Sequence, residues 1–254
     1  MNKKIITRKQ FEILRKKNLL KMNKDKNIFS NAISLIQKAD KYMFIHQNNF
    51  FGEPSINFSE DLIRFQEAIY EIKPDIVIEV GVAWGGTTLF LSSILESLNN
   101  GKVIGIDIFI PNYVKKALNN KGKISKRIKL LEGSSLDNKI IKFLKKKTKN
   151  KKTIVILDSN HTEHHVLNEL NIYSKFISKN SYLIVCDTII NYIKPNKKRI
   201  RPWNKNNNPL TAIKKFLKNN RKFIIDNKYN KKLMISCNYQ GFLKNIKRKK
   251  NLFL

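Results

Sequence analysis

Residues 74–86, PDIVIEVGVAWGG, constrain the fold of this chain more than any other segment. The run that begins at Ile76 is β-branched and continuous, which is typical of a parallel strand covered on both faces. Gly81, Gly85 and Gly86 follow, and glycines allow a tight turn and a close approach of the backbone to a ligand. The next residues, TTLFLSSILESL, have a helical pattern. The segment predicts a strand, a glycine turn and a helix N-terminus that bind a nucleotide-sized cofactor.

The spacing of the acidic residue and the glycines narrows the kind of cofactor. Glu79 lies two residues before Gly81, and Gly85 lies four residues after it. This spacing resembles the E/D-x-G-x-G-x-G motif of S-adenosylmethionine enzymes more than the G-x-G-x-x-G of dinucleotide domains. Ala83 stands where the middle glycine of that motif usually stands. The alternative is a glycine turn that only closes a strand–helix unit.

A second acidic residue, Asp107, ends the next β-branched run, KVIGIDI. In nucleotide-binding folds a carboxylate roughly 20 residues beyond the glycine turn holds the two ribose hydroxyls. Asp107 lies somewhat farther on, which a longer intervening helix explains. A carboxylate also repels a 2′-phosphate, so an NADP-type ligand is disfavoured. The alternative is that Asp107 caps the following loop.

The composition limits the class of protein. A chain of 254 residues can form one large α/β domain with an additional segment. No apolar run reaches the roughly 18 residues of a membrane span, and the basic N-terminus lacks the apolar region of a signal peptide. Cys186 and Cys237 lie in apolar runs, which indicates buried, reduced thiols. We therefore expect a cytoplasmic protein whose basic termini are able to contact a membrane surface.

The formal net charge of +32 would attract polyanions. However, the excess lysine occurs together with asparagine and isoleucine in every segment, and these residues share A/T-rich codons. No aromatic RNA-binding motif or helix-turn-helix accompanies the charge. Biased genome composition is thus the favoured explanation, and a nucleic-acid partner is not expected.

The order of the patterns predicts the architecture. Strand-like and helix-like runs alternate after residue 58, which indicates a mostly parallel, doubly wound sheet. The runs KFIIDNKY and KLMISCNY leave no room for a crossover helix, so they are expected to pair as an antiparallel hairpin. This is the Rossmann-like arrangement of S-adenosylmethionine methyltransferases. We expect a basic helical extension over residues 1–58 that serves packing or homo-oligomer formation, a methyltransferase domain over 59–243, and a basic tail over 244–254.

Three local sequence signals predict the starts of two helices and a lid over the site. Ser59 is the expected N-cap of the helix that Pro74 follows, and Asn208 with Pro209 is the expected start of another. The connection over residues 191–208 is long, and long connections in compact domains are usually functional or disordered. Since it leaves the carboxyl end of a parallel strand, Arg201 and Trp203 are candidates for a substrate lid. The alternative is a passive surface loop anchored by a buried tryptophan.

Two further strand ends carry groups for chemistry. One ends in Asp158, followed by His161, and the next ends in Asp187. Carboxyl ends of adjacent parallel strands meet at one crevice, and paired carboxylates there suit Mg²⁺. His161 is then a candidate general base. The alternative is that both aspartates only cap helices.

The runs IVIEVGVAWGGTTLF, LLEGSS, VILDSNHTEHHVLNEL, YLIVCDT and RPWNKNNNPLTAIKKFL closely resemble the cephalosporin hydroxylase-like family, which also contains rhamnosyl O-methyltransferases. The resemblance extends from about residue 53 to residue 243. It implies an S-adenosylmethionine-dependent O-methyltransferase, with divalent metal in several members. It also implies a set of site residues: Glu79, Gly81, Ala83 and Gly85 at the methionine part of the cofactor, Asp107 at the ribose, Gly133, Ser134 and Ser135 at the adenine, and Asp158 and Asp187 at the metal.

One position departs from the family pattern. The family often has Glu-Asp at the end of the fifth strand, whereas this chain has Cys186 before Asp187. The metal site then either loses a ligand or is completed by Thr188 and water. Catechol O-methyltransferases have a base three residues after the first metal-binding acid, and His161 occupies that position here.

These observations predict methyl transfer from S-adenosylmethionine to a hydroxyl, most plausibly on a sugar of a bacterial glycan or glycolipid. One rival is an RNA methyltransferase, for which the charge is the sole argument. A second is a non-catalytic assembly protein with a degenerate cofactor site, for which Ala83 and Cys186 are the arguments. Hydroxylase activity is unsupported, because no two-histidine, one-carboxylate spacing is apparent.

Overall fold

The computed structural model of the chain describes residues 6–194 and 199–246. The first five residues, the middle of the expected lid and most of the expected basic tail lie outside these ranges. The described elements alternate as the sequence predicts. The helices are α1 (Arg8–Met22), α2 (Lys26–Asp40), α3 (Ser59–Ile72), α4 (Gly86–Ser97), α5 (Asn112–Asn119), α6 (Asn138–Thr148), α7 (Glu163–Tyr173), α8 (Pro209–Asn219) and α9 (Asn227–Asn230). The strands are β1 (Asn49–Phe50), β2 (Glu53–Pro54), β3 (Ile76–Val80), β4 (Lys102–Asp107), β5 (Ile128–Glu132), β6 (Thr153–Leu157), β7 (Tyr182–Val185), β8 (Phe223–Ile225) and β9 (Phe242–Asn245).

The described strands form a seven-stranded sheet in the order β5-β4-β3-β6-β7-β9-β8, and β1 pairs with β2 separately. Strands β3 to β7 are parallel, and β9 runs antiparallel to both of its neighbours. Val80 of β3 is in register with Ile106 of β4 and Leu157 of β6. The carboxyl ends of these strands therefore lie at one edge of the sheet, on either side of the point where the strand order reverses. The predicted doubly wound α/β architecture is confirmed.

Both faces of the sheet are buried, which explains the continuous β-branched runs. All five residues of β3 are buried. Ile78 and Val80 pack with residues of α6, α7 and α8, whereas Val77 packs on the other face with residues of α3 and α4. Each fully buried aliphatic side chain contributes about 1.5–3 kcal/mol. The sheet edge that carries the site is thus held between two apolar layers.

The predicted C-terminal hairpin is wrong in its second strand. The run KLMISCNY is a loop, and β8 pairs instead with β9, which is inserted between β7 and β8. The loop uses its backbone N–H groups elsewhere: Met234 and Ile235 donate to Glu60, and Cys237 donates to Asp61. Since these groups are satisfied by carboxylates, the apolar run does not enter a ladder. The sheet also extends to Asn245, two residues beyond the expected end of the domain.

Two expected helix ends also differ from the structure, and one is confirmed. Helix α3 begins at Ser59 itself, with Phe58 as N-cap and no side-chain cap bond. Helix α2 ends at Asp40, well before the end of the extension that was expected to be helical over residues 1–58. A left-handed residue, Met43, follows before a short 3-10 turn. At α8 the prediction is confirmed, because the Asn208 side chain accepts from the backbone N–H groups of the first turn.

The N-terminal extension is helical only in its first part. Helix α1 buries none of its residues, whereas α2 buries Ala32 and Ile36. Residues 41–58 instead contain the 3-10 turn and the β1–β2 pair. Within the ranges that the structure describes, no helix is long and apolar enough to cross a membrane.

Candidate functional site

The glycine turn after β3 is as tight as its sequence requires. Gly81 has a φ of +101°, and a Cβ added there would lie 2.0 Å from the carbonyl oxygen of Asp158. Gly85 has a φ of +86°, and its Cβ would meet the Leu118 side chain at 2.9 Å. Both positions therefore need glycine for conformation and for space. The turn packs directly against the end of β6, which brings the predicted cofactor loop next to Asp158.

Ala83 occupies this turn with a left-handed backbone, at a φ of +46°. For an L-residue this conformation costs roughly 1–2 kcal/mol, which glycine does not pay. The position thus has a backbone conformation that glycine adopts more easily than alanine.

We expect Ala83→Gly to raise the free energy of unfolding by about 0.5–1 kcal/mol, because relief of strain exceeds the added entropy of the unfolded chain. Chemical denaturation measures this change. The matched control is Ala117→Gly in α5, a right-handed position where glycine should destabilise by about 1 kcal/mol. Equal destabilisation by both variants would show that Ala83 is unstrained.

Asp107, at the end of β4, holds the turn in place. Its Oδ2 accepts from the backbone N–H of Val82 at 2.8 Å and of Ala83 at 2.9 Å. Its Oδ1 has a single long contact, 3.4 Å from the N–H of Phe109. One oxygen therefore anchors the loop, and the other retains capacity for a further donor such as a ribose hydroxyl. Loop anchoring was not predicted for this residue.

Glu79 lies beneath the turn. It is almost fully buried, and its Oε2 accepts from Thr88 Oγ1 at 2.5 Å in the first turn of α4. Burial raises the pKa of Glu79 to about 8, although the hydrogen bond from Thr88 opposes the shift. The residue links β3 to α4. Its assignment to the methionine part of the cofactor stays a prediction.

The loop after β5 contains a buried polar cluster that the sequence analysis missed. Gly133 has a φ of +143°, and Ser134 Oγ accepts from the N–H of Leu136. Ser135 Oγ donates to Glu169 Oε1 at 2.6 Å, and Ser159 Oγ donates to the same oxygen at 2.8 Å. Glu169 is fully buried in α7. It joins the loop after β5 to the loop after β6, a contact across 34 residues that no spacing reveals.

The ends of β6 and β7 bring three candidate ligands together. Ligand atoms of Asp158, His161 and Asp187 all lie within 4.8 Å of one another. His161 Nε2 is 3.1 Å from Asp187 Oδ2. The side chains are partly buried, as expected for a site at the base of a crevice. The residues that the sequence singled out for metal and base chemistry are therefore neighbours.

The electrostatics of this cluster suit a cation. Burial raises the pKa of Asp158 well above its usual value, and the Asp187 carboxylate raises it further. A side-chain hydrogen bond from Asn57 opposes the shift. Two carboxylates this close repel each other unless a proton or a cation lies between them. Carboxylate oxygens are ligands that Mg²⁺ and Mn²⁺ prefer, so Asp158 and Asp187 fit a divalent ion.

Neither Cys186 nor Thr188 takes part in this cluster in the expected way. Cys186 is 2% exposed and packs in the apolar layer with Ile184, and burial and then the Asp158 and Asp187 carboxylates raise the pKa of its thiol. Thr188 is fully buried, and its Oγ1 donates to the carbonyl oxygen of Cys237 at 3.1 Å. The hydroxyl of Thr188 thus serves a structural bond, and the structure does not support its prediction as a ligand.

A cavity of about 320 Å³ opens beside the cluster. Two residues of the cluster, His161 and Asp187, line it together with Arg201 and Trp203. The Trp203 ring meets the His161 ring edge-on at 4.8 Å, and the Arg201 guanidinium lies over Trp203 at 5.4 Å. The two lid candidates therefore contact the site, directly or through each other.

Part of the cavity lining comes from the N-terminal extension. Ile36 of α2, Phe44 and His46 of the following 3-10 turn, and Phe58 all line it. The sequence predicted only a packing or oligomerisation arm in this segment, and the position of His46 in the cavity lining was not predicted. The helix-like periodicity of this segment contained no signal for a pocket wall.

The strand order, the glycine loop and the carboxylates at the strand ends define a Rossmann-like methyltransferase fold. The chain belongs to the rhamnosyl O-methyltransferase/CmcI family, whose model matches residues 42–246. Among curated relatives, a rhamnosyl O-methyltransferase of Mycobacterium tuberculosis is 31% identical over 135 residues, 52% of this chain and 53% of that protein. One of Mycobacterium leprae is 26% identical over 186 residues, 67% of this chain and 78% of that protein. The chain spans about half the length of most of the curated relatives it matches.

Solved structures share the fold at low sequence identity. An apo structure of CmcI aligns with a TM-score of 0.57 and 18% identity, covering 80% of this chain and 78% of CmcI. The O-methyltransferase TomG from Streptomyces achromogenes aligns with a TM-score of 0.52 and 12% identity, covering 85% of this chain and 90% of TomG. These similarities support the fold assignment alone.

Proposed function

We propose that the protein transfers a methyl group from S-adenosylmethionine to a hydroxyl of a sugar-bearing acceptor, with the help of a divalent ion. The observation that carries this proposal is the Asp158, His161 and Asp187 cluster beside the glycine loop. The names of the relatives support the sugar, because they are rhamnosyl O-methyltransferases. One solved CmcI structure is described as holding Mg and S-adenosylmethionine, and that of TomG as holding S-adenosylmethionine.

Residues around the turn would hold the cofactor. Gly81 and Gly85 allow its close approach to the backbone, and Oδ1 of Asp107, which has a long contact with the N–H of Phe109, would accept from the ribose. The loop of Gly133 to Ser135 would lie at the adenine. When bound, the cofactor supplies an electrophilic methyl group on a sulfonium. The protein's part is to orient the acceptor hydroxyl toward that methyl group and to exclude water.

Asp158 and Asp187 would hold the ion, which lowers the pKa of a bound hydroxyl. His161 would accept the hydroxyl proton, with the carboxylate of Asp187 orienting its ring at 3.1 Å. Trp203, edge-on to His161, restricts the same ring from the lid side. The proposed proton acceptor and one proposed metal ligand, His161 and Asp187, line the cavity, and the glycine loop packs against the backbone of Asp158.

We expect Asp107→Asn to weaken binding of S-adenosylhomocysteine by about 10- to 100-fold, the effect of losing a hydrogen bond to a charged acceptor. Asparagine keeps one oxygen for the N–H groups of Val82 and Ala83, so the loop should stay anchored and the melting temperature should change little. Calorimetry with S-adenosylhomocysteine and its 2′,3′-dideoxy analogue measures the effect. An equal loss for both ligands would contradict the ribose assignment.

The rival functions gain little from the structure. The case for a degenerate, non-catalytic site used Ala83 and Cys186, but the backbone at Ala83 is left-handed, as a glycine position allows, and Cys186 is buried in an apolar layer. The net charge of the chain is still the sole argument for an RNA methyltransferase. Homo-oligomer formation and contact of the basic termini with a membrane surface stay predictions.

A further inference from the structure

The cavity beside the Asp158, His161 and Asp187 cluster contains more positive charge than its acids balance. Lys194, Arg199 and Arg201 line it. Arg199 forms a salt bridge with Asp40 of α2. Among the described residues, Arg201 forms no salt bridge, and its guanidinium instead lies over the Trp203 ring. The charge of Arg199 is therefore paired, whereas Arg201 is exposed and has no acidic partner in the part of the chain that the structure describes.

Loading the metal site does not remove this excess. A divalent ion on Asp158 and Asp187 gives two positive and two negative charges, a sum of zero. Asp40 and Arg199 also sum to zero. Among the described residues that line the cavity, Lys194 and Arg201, both of them exposed, then leave two positive charges. A bound acceptor that supplies negative charge would balance them.

The field of the arginines reaches into the cavity. The pKa of His46, on the N-terminal wall, is lowered first by burial and next by the charge of Arg199, with a further contribution from Arg201. The Asp40 and Asp187 carboxylates act in the opposite direction, but the net shift is downward. Arg199 and Arg201 are thus close enough to His46 to act on its charge, as are the Asp40 and Asp187 carboxylates.

We propose that the acceptor carries an oxyanion, a phosphate or a carboxylate, near the hydroxyl that is methylated, and that Arg201 binds it. This inference rests on the proposed methyl transfer and names the chemical class of its acceptor. The planar guanidinium pairs with such groups through two parallel hydrogen bonds. Trp203 holds the guanidinium by stacking, so part of its ordering cost is met before the ligand binds. A cavity of about 320 Å³ accommodates a single sugar ring with its substituent.

The competing explanation is the general charge of +32, which attracts any anion. The chain provides a matched control for this effect. Lys205 lies four residues from Arg201 in the same connection and is exposed, but it does not line the cavity. Removing its charge changes the net charge of the protein by the same amount as removing that of Arg201.

The test is calorimetry on the full chain loaded with Mg²⁺ and S-adenosylhomocysteine. The probes are hexose phosphates, the matching uronic acids and their neutral parent sugars. We expect at least one anionic series to bind about 10-fold or more tighter than its neutral parents, and Arg201→Gln to weaken that series by about 10- to 100-fold. Arg201→Lys should recover part of the loss, and Lys205→Gln should leave the affinity unchanged. The phosphate and carboxylate arms show which oxyanion is bound.

Three outcomes would overturn the inference: no preference for anionic over neutral probes, equal losses in Arg201→Gln and Lys205→Gln, or an Arg201→Gln loss that is the same for neutral sugars. Failure of the proposed function has a different signature, because the protein would then not bind S-adenosylhomocysteine. Thermal unfolding of each variant confirms that it is folded.

Discussion

Replacing Asp158 with alanine should abolish methyl transfer and leave S-adenosylhomocysteine binding nearly intact. Its carboxylate lies within 4.8 Å of the ligand atoms of His161 and Asp187. Its repulsion from the Asp187 carboxylate indicates a site for a cation. Without it, the ion that lowers the pKa of the acceptor hydroxyl would lose a charged ligand. The cofactor contacts proposed for Asp107 and the glycine loop do not use this side chain.

Two measurements check this prediction: transfer of labelled methyl groups to acceptor, and calorimetry of S-adenosylhomocysteine. The matched control is Asp137→Ala, which removes a carboxylate from the exposed N-cap of α6. That variant should keep its activity, because it only loses a cap worth about 1 kcal/mol. Full activity of the wild-type protein in excess chelator, together with an active Asp158→Ala, would show that the carboxylates are structural.

His161→Gln should lower kcat by about 10²- to 10⁴-fold, the usual contribution of a positioned general base. Glutamine retains a hydrogen-bonding group for Asp187, so the local fold should persist. If His161 is the base, metal affinity should change by less than about 10-fold, whereas loss of a metal ligand or its support typically costs 10–100-fold. Single-turnover rates and a metal titration separate the two effects.

The matched control for this variant is His164→Gln. His164 lies on the exposed side of α7, where its ring contacts the side chain of Asn168. It should have no effect on rate. A fall in metal affinity that accounts for the whole loss of rate in His161→Gln would make His161 a ligand and contradict its role as base.

The central part of the fold was predictable because its signals are local. The β-branched runs of β3, β4 and β6 identify strands buried on both faces, and Asn208 with Pro209 marks the start of α8. The prediction failed where groups distant in sequence determine the local structure. The run at residues 232–239 has strand-like composition, but the carboxylates of Glu60 and Asp61 bind its N–H groups. Tertiary hydrogen bonds there override local propensity.

The site was predictable where strand ends determine it. Asp158 and Asp187 follow neighbouring parallel strands, so their proximity follows from the topology. The burial of Cys186 was also predictable, because alternation that continues from β7 puts it on the same face as the buried Ile184. Asn57, Glu169 and His46 could not be found in this way. They reach the site from distant segments, and neither spacing nor a motif connects them to it.

The most direct test of the metal site is a titration of Mn²⁺ into the protein loaded with S-adenosylhomocysteine, followed by electron paramagnetic resonance. We predict one bound ion per chain in the wild type and in Asp137→Ala. Asp158→Asn and Asp187→Asn should each weaken its binding by 10-fold or more, since each removes one of the two charged ligands, an effect of about 1.4 kcal/mol or greater. Undiminished binding in both aspartate variants, or no binding to the wild type at millimolar Mn²⁺, would contradict a divalent ion between the ends of β6 and β7.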